Sequence, residues 1–400
     1  MFGKIKKNSW VITSILKANF STKRQVIKNF LTARKRYVPK KGKVDVKSIL
    51  KCALCPNMCR FDCPITKVEK SEAASPALKT RIAYLLETGK MNFSDDAINL
   101  MYKDLDCDAC RQWCPFGFSV GDLLVEVKED IAERGLAPQS IIKFQERLSK
   151  EHTIYENGTT SPGRAREKAE VLYFAGCTTL NRRKKIADST IGILEEAGIN
   201  FTTLPEEWCC GMPLYTLGFR ETFDEFALHN LESFKEMGCK TIICSCPDCA
   251  YTFKELYPKN ELKVAHVSQF LAELVKEGKI GPLELDGEFV FHDPCVLSRK
   301  LDIYKEPREV LNTISKLNLK ETYFNKKDTR CCGRGGMLGI TNPDISLEIA
   351  KKRSSELREV SNFVISACPA CEAALKEADE DLNVMDISEA VFRGMKNGRR

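Results

Sequence analysis

Short apolar runs alternate with longer amphipathic segments throughout the second half of the chain. Four such runs stand out, at 171–175, 241–243, 289–291 and 363–365. Runs of this kind are typical of buried strands. Between them, apolar residues recur at helical spacing, at Ile186, Ile191 and Leu194, and again at Val310, Ile314 and Leu317. Alternating strands and helices predict an α/β fold with a parallel sheet.

The preceding part of the chain has a different pattern. Helical spacing of apolar residues recurs there over the ranges 77–86, 97–105 and 120–134. The pattern predicts a small all-α domain over residues 48–135. Residues 136–169 are expected to be a linker, because Gly, Thr, Ser and Pro follow one another from Gly158 to Gly163.

Ten of the nineteen cysteines recur as two sets of five in the same order. The first set is Cys177, Cys209, Cys210, Cys246 and Cys249. The second set is Cys295, Cys331, Cys332, Cys368 and Cys371. In both, 36 positions separate the second cysteine of the pair from the next Cys-Pro-x-Cys (246 − 210 and 368 − 332). This internal repeat predicts two α/β modules, module 1 (170–285) and module 2 (286–400).

The thiols of each set flank the predicted strands. In a parallel sheet, the loops at the carboxyl ends of the strands form the ligand crevice, so five sulfurs are expected to converge there in each module. Gly211 and Gly333 follow the cysteine pairs, and Gly335 with Gly336 comes shortly after. These glycines are expected to let the backbone turn tightly and approach a bulky inorganic ligand.

Two CX(n)CCGX(m)CXXC modules in tandem resemble the cysteine-rich subunit of heterodisulfide reductase and its relatives. The resemblance covers roughly residues 170–390. It implies that each set of five cysteines holds one noncubane [4Fe-4S] cluster, giving two such clusters in the chain.

The helical region carries two further cysteine runs. The first is Cys52, Cys55, Cys59 and Cys63 followed by Pro64, and the second is Cys107, Cys110 and Cys114 followed by Pro115. Both resemble the C-x2-C-x2-C-x3-C-P run of bacterial ferredoxins, although one extra residue separates Cys55 from Cys59. Tetrahedral zinc is the alternative for these thiols.

In two-cluster ferredoxins, the fourth cysteine of each run serves the other cluster. This resemblance implies two groups of ligands. The first group is Cys52, Cys55, Cys59 and Cys114, and the second is Cys63, Cys107 and Cys110, with Asp104 where the family would have cysteine. Three alternatives remain open for the second cluster: Asp104 ligates iron, the cluster is [3Fe-4S], or it is absent. The chain would therefore hold one or two ferredoxin-type clusters.

The order of a ferredoxin-like domain and two cysteine-rich modules resembles the fused catalytic subunit of membrane-bound heterodisulfide reductase. It also resembles the iron–sulfur subunits of glycolate, lactate and anaerobic glycerol-3-phosphate oxidising complexes. The first resemblance implies an enzyme that reduces a disulfide substrate with electrons from a membrane cytochrome b. The second implies a relay from a flavoprotein oxidase toward quinone. Neither a Rossmann fingerprint nor a phosphate loop is present, so flavin or nicotinamide is expected on another chain.

Other candidate residues carry weaker signals. His292 lies beside a predicted cluster, where it is a candidate to hydrogen-bond a sulfur or donate a proton, with a structural role as the alternative. His266 is expected to be structural. Cys239 and Cys244 fall outside the repeat, and Cys244 is expected to be a small core residue.

The net charge of +7 is unevenly distributed. Residues 1–47 hold fourteen Lys or Arg against Asp45 alone, which gives +13 there and −6 for the rest. Apolar stripes at helical spacing run between these cations, at Trp10, Val11, Ile15, Leu16, Val26, Ile27, Phe30 and Leu31. A basic amphipathic helix on anionic lipid is one interpretation, and a helix docked on this protein or a partner subunit is the other. Nucleic acid is not expected, since nothing else in the chain supports it.

Two absent sequence signals and the high cysteine content predict where the protein is located. The sequence has no uncharged apolar stretch of about 18 residues. It also lacks a cleavable signal, because charges surround the only early apolar run. A secreted disulfide scaffold would be much shorter. We therefore expect a cytoplasmic protein, with peripheral contact to the inner face of the cell membrane through its basic start.

Overall fold

A computed structural model describes residues 9–37, 44–162 and 167–398. The described part of the chain is helical up to residue 151, and two separate four-stranded sheets follow. The predicted architecture, a helical region followed by two α/β modules, is confirmed. The helices before the first sheet are Ser9–Lys17, Phe20–Tyr37, Val46–Ala53, Pro64–Glu69, Pro76–Glu87, Asp95–Tyr102, Ala109–Gln112, Val120–Glu133 and Gln139–Glu151.

Both sheets are entirely parallel and have the same strand order. In module 1 the order is β2-β1-β3-β4, and in module 2 it is β6-β5-β7-β8. The strands of module 1 are β1 Val171–Phe174, β2 Phe201–Thr202, β3 Thr241–Cys244 and β4 Lys263–His266. Those of module 2 are β5 Glu284–His292, β6 Ser315–Glu321, β7 Phe363–Ser366 and β8 Asn383–Asp386. The cysteine repeat is therefore also a repeat of topology.

Helices connect the strands on both faces of each sheet. Those of module 1 are Cys177–Arg182, Lys184–Glu196, Met212–Leu217, Arg220–Glu236, Pro247–Tyr251 and Val267–Lys276. Those of module 2 are Glu306–Leu311, Leu338–Thr341, Pro343–Arg358, Pro369–Ala378 and Ile387–Gly398. A π-helical turn follows a cysteine of each module, at Thr252–Leu256 and Val296–Lys300.

The two modules share one apolar core. The helix Lys184–Glu196 of module 1 packs against Ile387–Gly398 of module 2, and the ring of Phe392 lies directly over Gly192. Ile243 from the first sheet and Ile365 from the second belong to the same buried cluster. The modules are therefore held together by hydrophobic burial along an extensive face, which fixes their thiols relative to one another.

Two predictions about local structure were wrong. The segment predicted as a linker contains the helix Gln139–Glu151, whose Ile141, Phe144 and Leu148 are buried at helical spacing. The turn-forming residues from Gly158 to Gly163 mark a loop only after this helix, whose own apolar stripe packs it against the rest of the chain. The helix predicted through Val310 and Leu317 ends at Leu311, and strand β6 replaces it from Ser315.

The N-terminal basic segment forms two helices, as its apolar stripes predict. Leu16, Phe20, Ile27 and Leu31 are between 58% and 82% exposed. These side chains are therefore not docked on the rest of this chain. The side chains of Trp10, Val11 and Phe30 lie outside the described residues. Within the described ranges, no helix combines the length and apolarity needed to cross a membrane.

Candidate metal centres

Each module presents its thiols at the carboxyl ends of its strands. Cys177 begins the helix that follows β1, and Cys295 follows β5 by three positions. Cys246 and Cys368 cap the helices after β3 and β7, and a proline occupies the first turn of each helix. Proline is favoured at this position, because its missing N–H has no partner there in any case. The Cys-Pro-x-Cys motif therefore both starts a helix and directs two thiols toward the same edge of the sheet.

In module 1 the five predicted thiols form one connected group. Cys209 contacts Cys177 and Cys210, and Cys249 contacts Cys210 and Cys246. Hydrogen bonds with neighbouring thiols, together with burial, raise the pKa of Cys209, whereas hydrogen bonds from Cys209 and Cys249 lower the pKa of Cys210 against the effect of burial, as expected where several sulfurs compete for protons.

Module 2 repeats this arrangement. Cys331 contacts Cys295 and Cys332, and Cys371 contacts Cys332 and Cys368. All five thiols are buried. The structure thus brings together both predicted sets of five.

The two sets open on one cavity between the modules. The cavity has a volume of about 940 Å³ and is lined by all five thiols of module 1. Four thiols of module 2 also line it, and the exception is Cys331. Cys246 of module 1 contacts Cys368 of module 2 directly. Two neighbouring inorganic centres would therefore face the same space.

The glycines after the cysteine pairs have the backbone conformation that was expected. Gly211 and Gly333 have φ values of 83° and 89°, which residues with a side chain rarely adopt. Gly335 and Gly336 differ from the expectation. A Cβ on either would collide with the backbone of Leu105 or Asp104. The missing side chains of these two glycines therefore allow the helical region to pack closely here, and both glycines also border the cavity.

The first ferredoxin-type group also comes together. Cys52 interacts with Cys55 and Cys114, and Cys59 interacts with Cys52 and Cys55. The backbone accommodates the extra residue between Cys55 and Cys59 at Asn57, whose φ angle is 63°. Asn57 Nδ2 donates to Ser75 Oγ at 2.9 Å. An asparagine tolerates this left-handed conformation at low cost, so the longer spacing does not separate the thiols.

In the second group, Cys107 interacts electrostatically with Cys63 and with Cys110. Asp104 is close by, but its carboxylate already has partners. Lys79 Nζ lies 3.3 Å from Asp104 Oδ2, and the Asp106 N–H donates to Oδ1 at 2.8 Å.

Lys79 is fully buried beside this group. Burial opposes its charge, yet the Asp104 carboxylate and the nearby thiols raise the pKa of Lys79 above its ordinary value. A buried cation among the thiols would offset the negative charge of a cluster held there. An isolated lysine in a helical pattern gives no sequence signal for this role.

His292 is fully buried against the thiols of module 2. Its Nδ1 accepts from Arg353 Nε at 3.2 Å, so the ring proton of the neutral imidazole lies on Nε2. Burial lowers the pKa of His292. One ring nitrogen and the sulfurs of Cys332 and Cys371 lie within 4.8 Å of one another. The Nε2–H is therefore placed to donate to a sulfur, and Arg353 is a supporting residue that its sequence context did not reveal.

The weaker candidates have structural surroundings. His266 accepts the Ser268 N–H and caps a helix, and burial lowers its pKa to about 4. Cys244 is buried in β3, apart from the cavity lining. His152 and His229 both stack on Trp208.

The donor set fits iron–sulfur clusters better than zinc. All nineteen cysteines are free thiols, so none is consumed by a disulfide. Five connected thiols in one module exceed the four ligands that tetrahedral zinc takes. Thiolates are the ligands that iron–sulfur clusters require.

Comparisons with known proteins agree with this description. A family model described as a cysteine-rich domain, CCG, matches residues 171–254 and again 289–376. A subunit of the dihydromethanophenazine:CoB–CoM heterodisulfide reductase of Methanosarcina mazei is 30% identical over 72% of this chain and 75% of its own length. A subunit of the fumarate reductase (CoM/CoB) of Methanothermobacter marburgensis is 27% identical over 86% of this chain and 72% of its own length.

Among solved structures, a hypothetical protein from Helicobacter pylori has a similar fold. The TM-score is 0.58 at 12% sequence identity, over 93% of this chain and 76% of that one. At this identity the likeness concerns the fold alone.

Proposed function

Since the chain belongs to the heterodisulfide reductase family of CCG-domain iron–sulfur oxidoreductase subunits, we propose that it reduces a disulfide. Electrons would pass singly from ferredoxin-type [4Fe-4S] clusters in the helical region to a noncubane cluster in each module. The redox chemistry belongs to the clusters when they are bound, and the protein supplies ligands, burial and hydrogen bonds.

One observation carries the proposal: nine of the ten module thiols, drawn from both sets of five, line a single cavity of about 940 Å³. Cleaving a disulfide takes two electrons and two protons, breaks one S–S bond and releases two thiols. One-electron centres can complete this reaction together if both adjoin the substrate. The contact of Cys246 with Cys368 supports such an arrangement.

The ligand assignments form part of the proposal. Module 1 would use Cys177, Cys209, Cys210, Cys246 and Cys249. Module 2 would use Cys295, Cys331, Cys332, Cys368 and Cys371. The first ferredoxin-type cluster would use Cys52, Cys55, Cys59 and Cys114. The second would use Cys63, Cys107 and Cys110, with a fourth ligand that Asp104 provides only by leaving its ion pair with Lys79.

The cavity wall offers groups for an anionic substrate. Arg183 Nε is buried and makes no hydrogen bond among the described residues; it lies 3.6 Å from Glu372. Arg182 stacks over the ring of Tyr155 at the same wall. Both relatives described above are named for CoM and CoB, so a CoM–CoB-like heterodisulfide is the substrate class that we propose.

Electrons would enter at the first ferredoxin-type group. Cys55, Cys59 and Cys114 are all partly exposed, and apolar Trp113 and Phe116 beside them are 60% and 58% exposed. A redox partner subunit is expected there, either a membrane cytochrome b or a flavoprotein. In the second case the chain would serve as an electron relay toward quinone, which is the alternative function.

The test is disulfide cleavage by the purified complete chain under anaerobic conditions. Reduced viologen dye supplies electrons, the CoB–CoM heterodisulfide is the substrate, and released thiols are counted. We expect two thiols per disulfide from the wild type and from Cys239→Ser, whose thiol lies outside both sets. Cys371→Ser should release none. Wild-type protein with a full complement of iron but no thiol release would contradict disulfide reduction and favour the relay.

A further inference from the structure

We propose that Cys331 supplies the fourth thiolate of the second ferredoxin-type centre, in addition to serving as one of the five ligands of module 2. A single sulfur would then belong to both centres. This inference rests on the proposed function, because it assigns the one ligand of the second ferredoxin-type cluster that the proposed function leaves open.

The three cysteines of the second group leave one ligand position to be filled. Cys107 interacts with Cys63 and with Cys110, whereas a ferredoxin-type [4Fe-4S] cluster takes four thiolates. The sequence has Asp104 where the fourth cysteine is expected. The fourth ligand is therefore Asp104, a group from elsewhere in the chain, or absent.

The carboxylates of this segment already have partners. Asp104 Oδ2 lies 3.3 Å from Lys79 Nζ, and Asp106 Oδ2 lies 2.6 Å from Lys300 Nζ. Both lysine side chains are buried, at 1% and 3% exposed. Asp108 pairs with an arginine three positions further along the chain. Moving Asp104 or Asp106 onto a cluster would leave a buried lysine without its counter-ion, which is strongly unfavourable.

Cys331 is the module thiol that faces this group. It is buried in the same apolar cluster as Cys63, and Cys107 packs against that cluster. The thiol of Cys331 also interacts with that of Cys107. Cys331 does not line the cavity that the other nine module thiols share. Instead it borders a smaller pocket with Pro64 and Ala109 of the helical region.

The chemistry of Cys331 suits an iron ligand better than that of a carboxylate. Thiolates are the soft ligands that iron–sulfur clusters select. Cys331 is a free thiol, and the Gly333 N–H donates to its sulfur at 3.4 Å. Such a donor favours the thiolate form. A thiolate sulfur has several lone pairs, so it can bind a second iron without leaving module 2.

Module 2 holds the backbone of Cys107 beside Cys331. Arg299 Nη1 donates to the Cys107 carbonyl at 2.8 Å. The same guanidinium donates through Nε to the Lys327 carbonyl at 2.7 Å and through Nη2 to the Thr329 carbonyl. Because the donors of arginine form a rigid, planar fork, one side chain keeps both cysteine segments at a fixed separation.

The equivalent thiol of module 1 has different surroundings. Cys209 interacts with Cys177 and Cys210, which belong to its own set, and it lines the shared cavity. Where module 1 meets the helical region, Lys128 Nζ donates to the Thr216 carbonyl at 3.1 Å. The two modules therefore differ at the thiol nearest the second ferredoxin-type centre, and Cys209 provides a matched control.

The test compares two neighbouring cysteines in the complete chain, purified anaerobically. Cys331→Ala and Cys332→Ala each remove one ligand of module 2, but only Cys331→Ala also removes the fourth ligand of the second ferredoxin-type centre. A cluster left with three thiolates loses one iron on mild oxidation with ferricyanide and becomes [3Fe-4S]. EPR and Mössbauer spectra detect this product, because an oxidised [3Fe-4S] cluster is paramagnetic and an oxidised [4Fe-4S] cluster is not.

We expect about one [3Fe-4S] cluster per chain in Cys331→Ala. The wild type, Cys332→Ala and Cys209→Ala should show none, and Asp104→Asn should match the wild type. A [3Fe-4S] signal in Asp104→Asn would overturn the inference, because Asp104 would then be the ligand. A signal already present in the wild type would overturn it as well, since the centre would have only three ligands. Absence of the signal in Cys331→Ala would do the same.

A double variant separates loss of a ligand from loss of structure. Asp104→Cys combined with Cys331→Ala restores a thiolate at the position where ferredoxins carry cysteine. The [3Fe-4S] signal of Cys331→Ala should then disappear. A signal that persists in the double variant would contradict the assignment of Cys331 as the fourth ligand.

The ligand assignment and the proposed function fail separately, because these spectra require no disulfide substrate. Wild-type protein that holds all its clusters but releases no thiol would refute only the proposed function. Wild-type protein that cleaves the disulfide, together with an intact second ferredoxin-type [4Fe-4S] cluster in Cys331→Ala, would refute only the ligand assignment.

Discussion

Modules 1 and 2 have the same strand order and the same spacing between the cysteine pair and Cys-Pro-x-Cys, but different groups hold the loops that carry the thiols. Three positions before the lone cysteine, module 1 has Phe174 and module 2 has His292. In module 1, the Glu207 carboxylate accepts the N–H groups of Ala175 and Gly176 at 3.0 and 2.9 Å. The loop is thus held by a carboxylate from another segment.

In module 2 the loop supplies its own carboxylate. Asp293 accepts two hydrogen bonds from Arg308, both at 2.8 Å, and a third from the Lys326 N–H at 2.7 Å. His292 adds an N–H that faces the thiols. The sheet therefore positions the five sulfurs of each module. The loop residues determine which charges and hydrogen-bond donors surround those sulfurs. Two clusters in such unequal surroundings would have different reduction potentials.

The largest effect on stability is expected from breaking the Asp293–Arg308 charge pair, which is specific to module 2. Asp293→Ala leaves the largely buried Arg308 guanidinium with fewer partners and should lower the free energy of unfolding by about 3 kcal/mol. Chemical denaturation of the anaerobic protein measures this. Lys316→Ala, which breaks an exposed ion pair with Glu284, should lower the free energy of unfolding far less, because exposed pairs are screened by solvent. Equal losses of stability in both variants would mean that the buried pair contributes no more than the exposed pair.

The next largest effect is expected at the residue that ends the last strand of each module. His266 and Asp386 occupy equivalent positions, and each caps a helix through a serine N–H. Burial raises the pKa of Asp386 to about 8 and lowers that of His266 to about 4. Burial therefore keeps both capping groups uncharged at pH 7, by shifts of opposite direction.

The pH dependence follows from the raised pKa of Asp386. The folded state keeps its proton up to about pH 8, while the unfolded state loses it near pH 4. The contribution of Asp386 to the free energy of unfolding is therefore fully present below pH 4, and it is lost as the pH rises toward 8. Asp386→Asn should remove this loss and raise stability at pH 8 by a few kcal/mol relative to wild type, with little change at pH 4. Thermal unfolding across this range measures the difference, and parallel wild-type and variant curves would contradict it.

The smallest change in stability is expected from a substitution that makes module 2 resemble module 1. His292→Phe removes the N–H donor to a sulfur and leaves Arg353 Nε without its acceptor, which should cost about 1–3 kcal/mol. Loss of a hydrogen bond to a sulfur should also lower the reduction potential of the module 2 cluster. A potentiometric titration followed by EPR checks this. An unchanged potential would mean that His292 is only structural, as His266 is.

Sequence reasoning located strands β1, β3, β5 and β7, both sets of five thiols and the ferredoxin-type groups from local spacing, but it predicted a helix where β6 lies. It missed the helix Gln139–Glu151 and the groups that surround the thiols. Lys79, Glu207 and Arg353 each act on a cysteine segment that is distant in sequence, so only the packed structure shows their role. Gly335 and Gly336 border the cavity, as predicted, but their missing side chains also allow the backbone of Leu105 and Asp104 to approach closely.

The measurement that tests the central claim most directly is iron and acid-labile sulfide per chain after anaerobic purification, with EPR of the oxidised protein before and after a thiol is added. The account predicts about sixteen irons per chain from four clusters, and a paramagnetic signal that depends on the thiol. About eight irons per chain, with no response to the thiol, would mean that the modules hold no working clusters. That result would contradict a disulfide site built from the ten module cysteines.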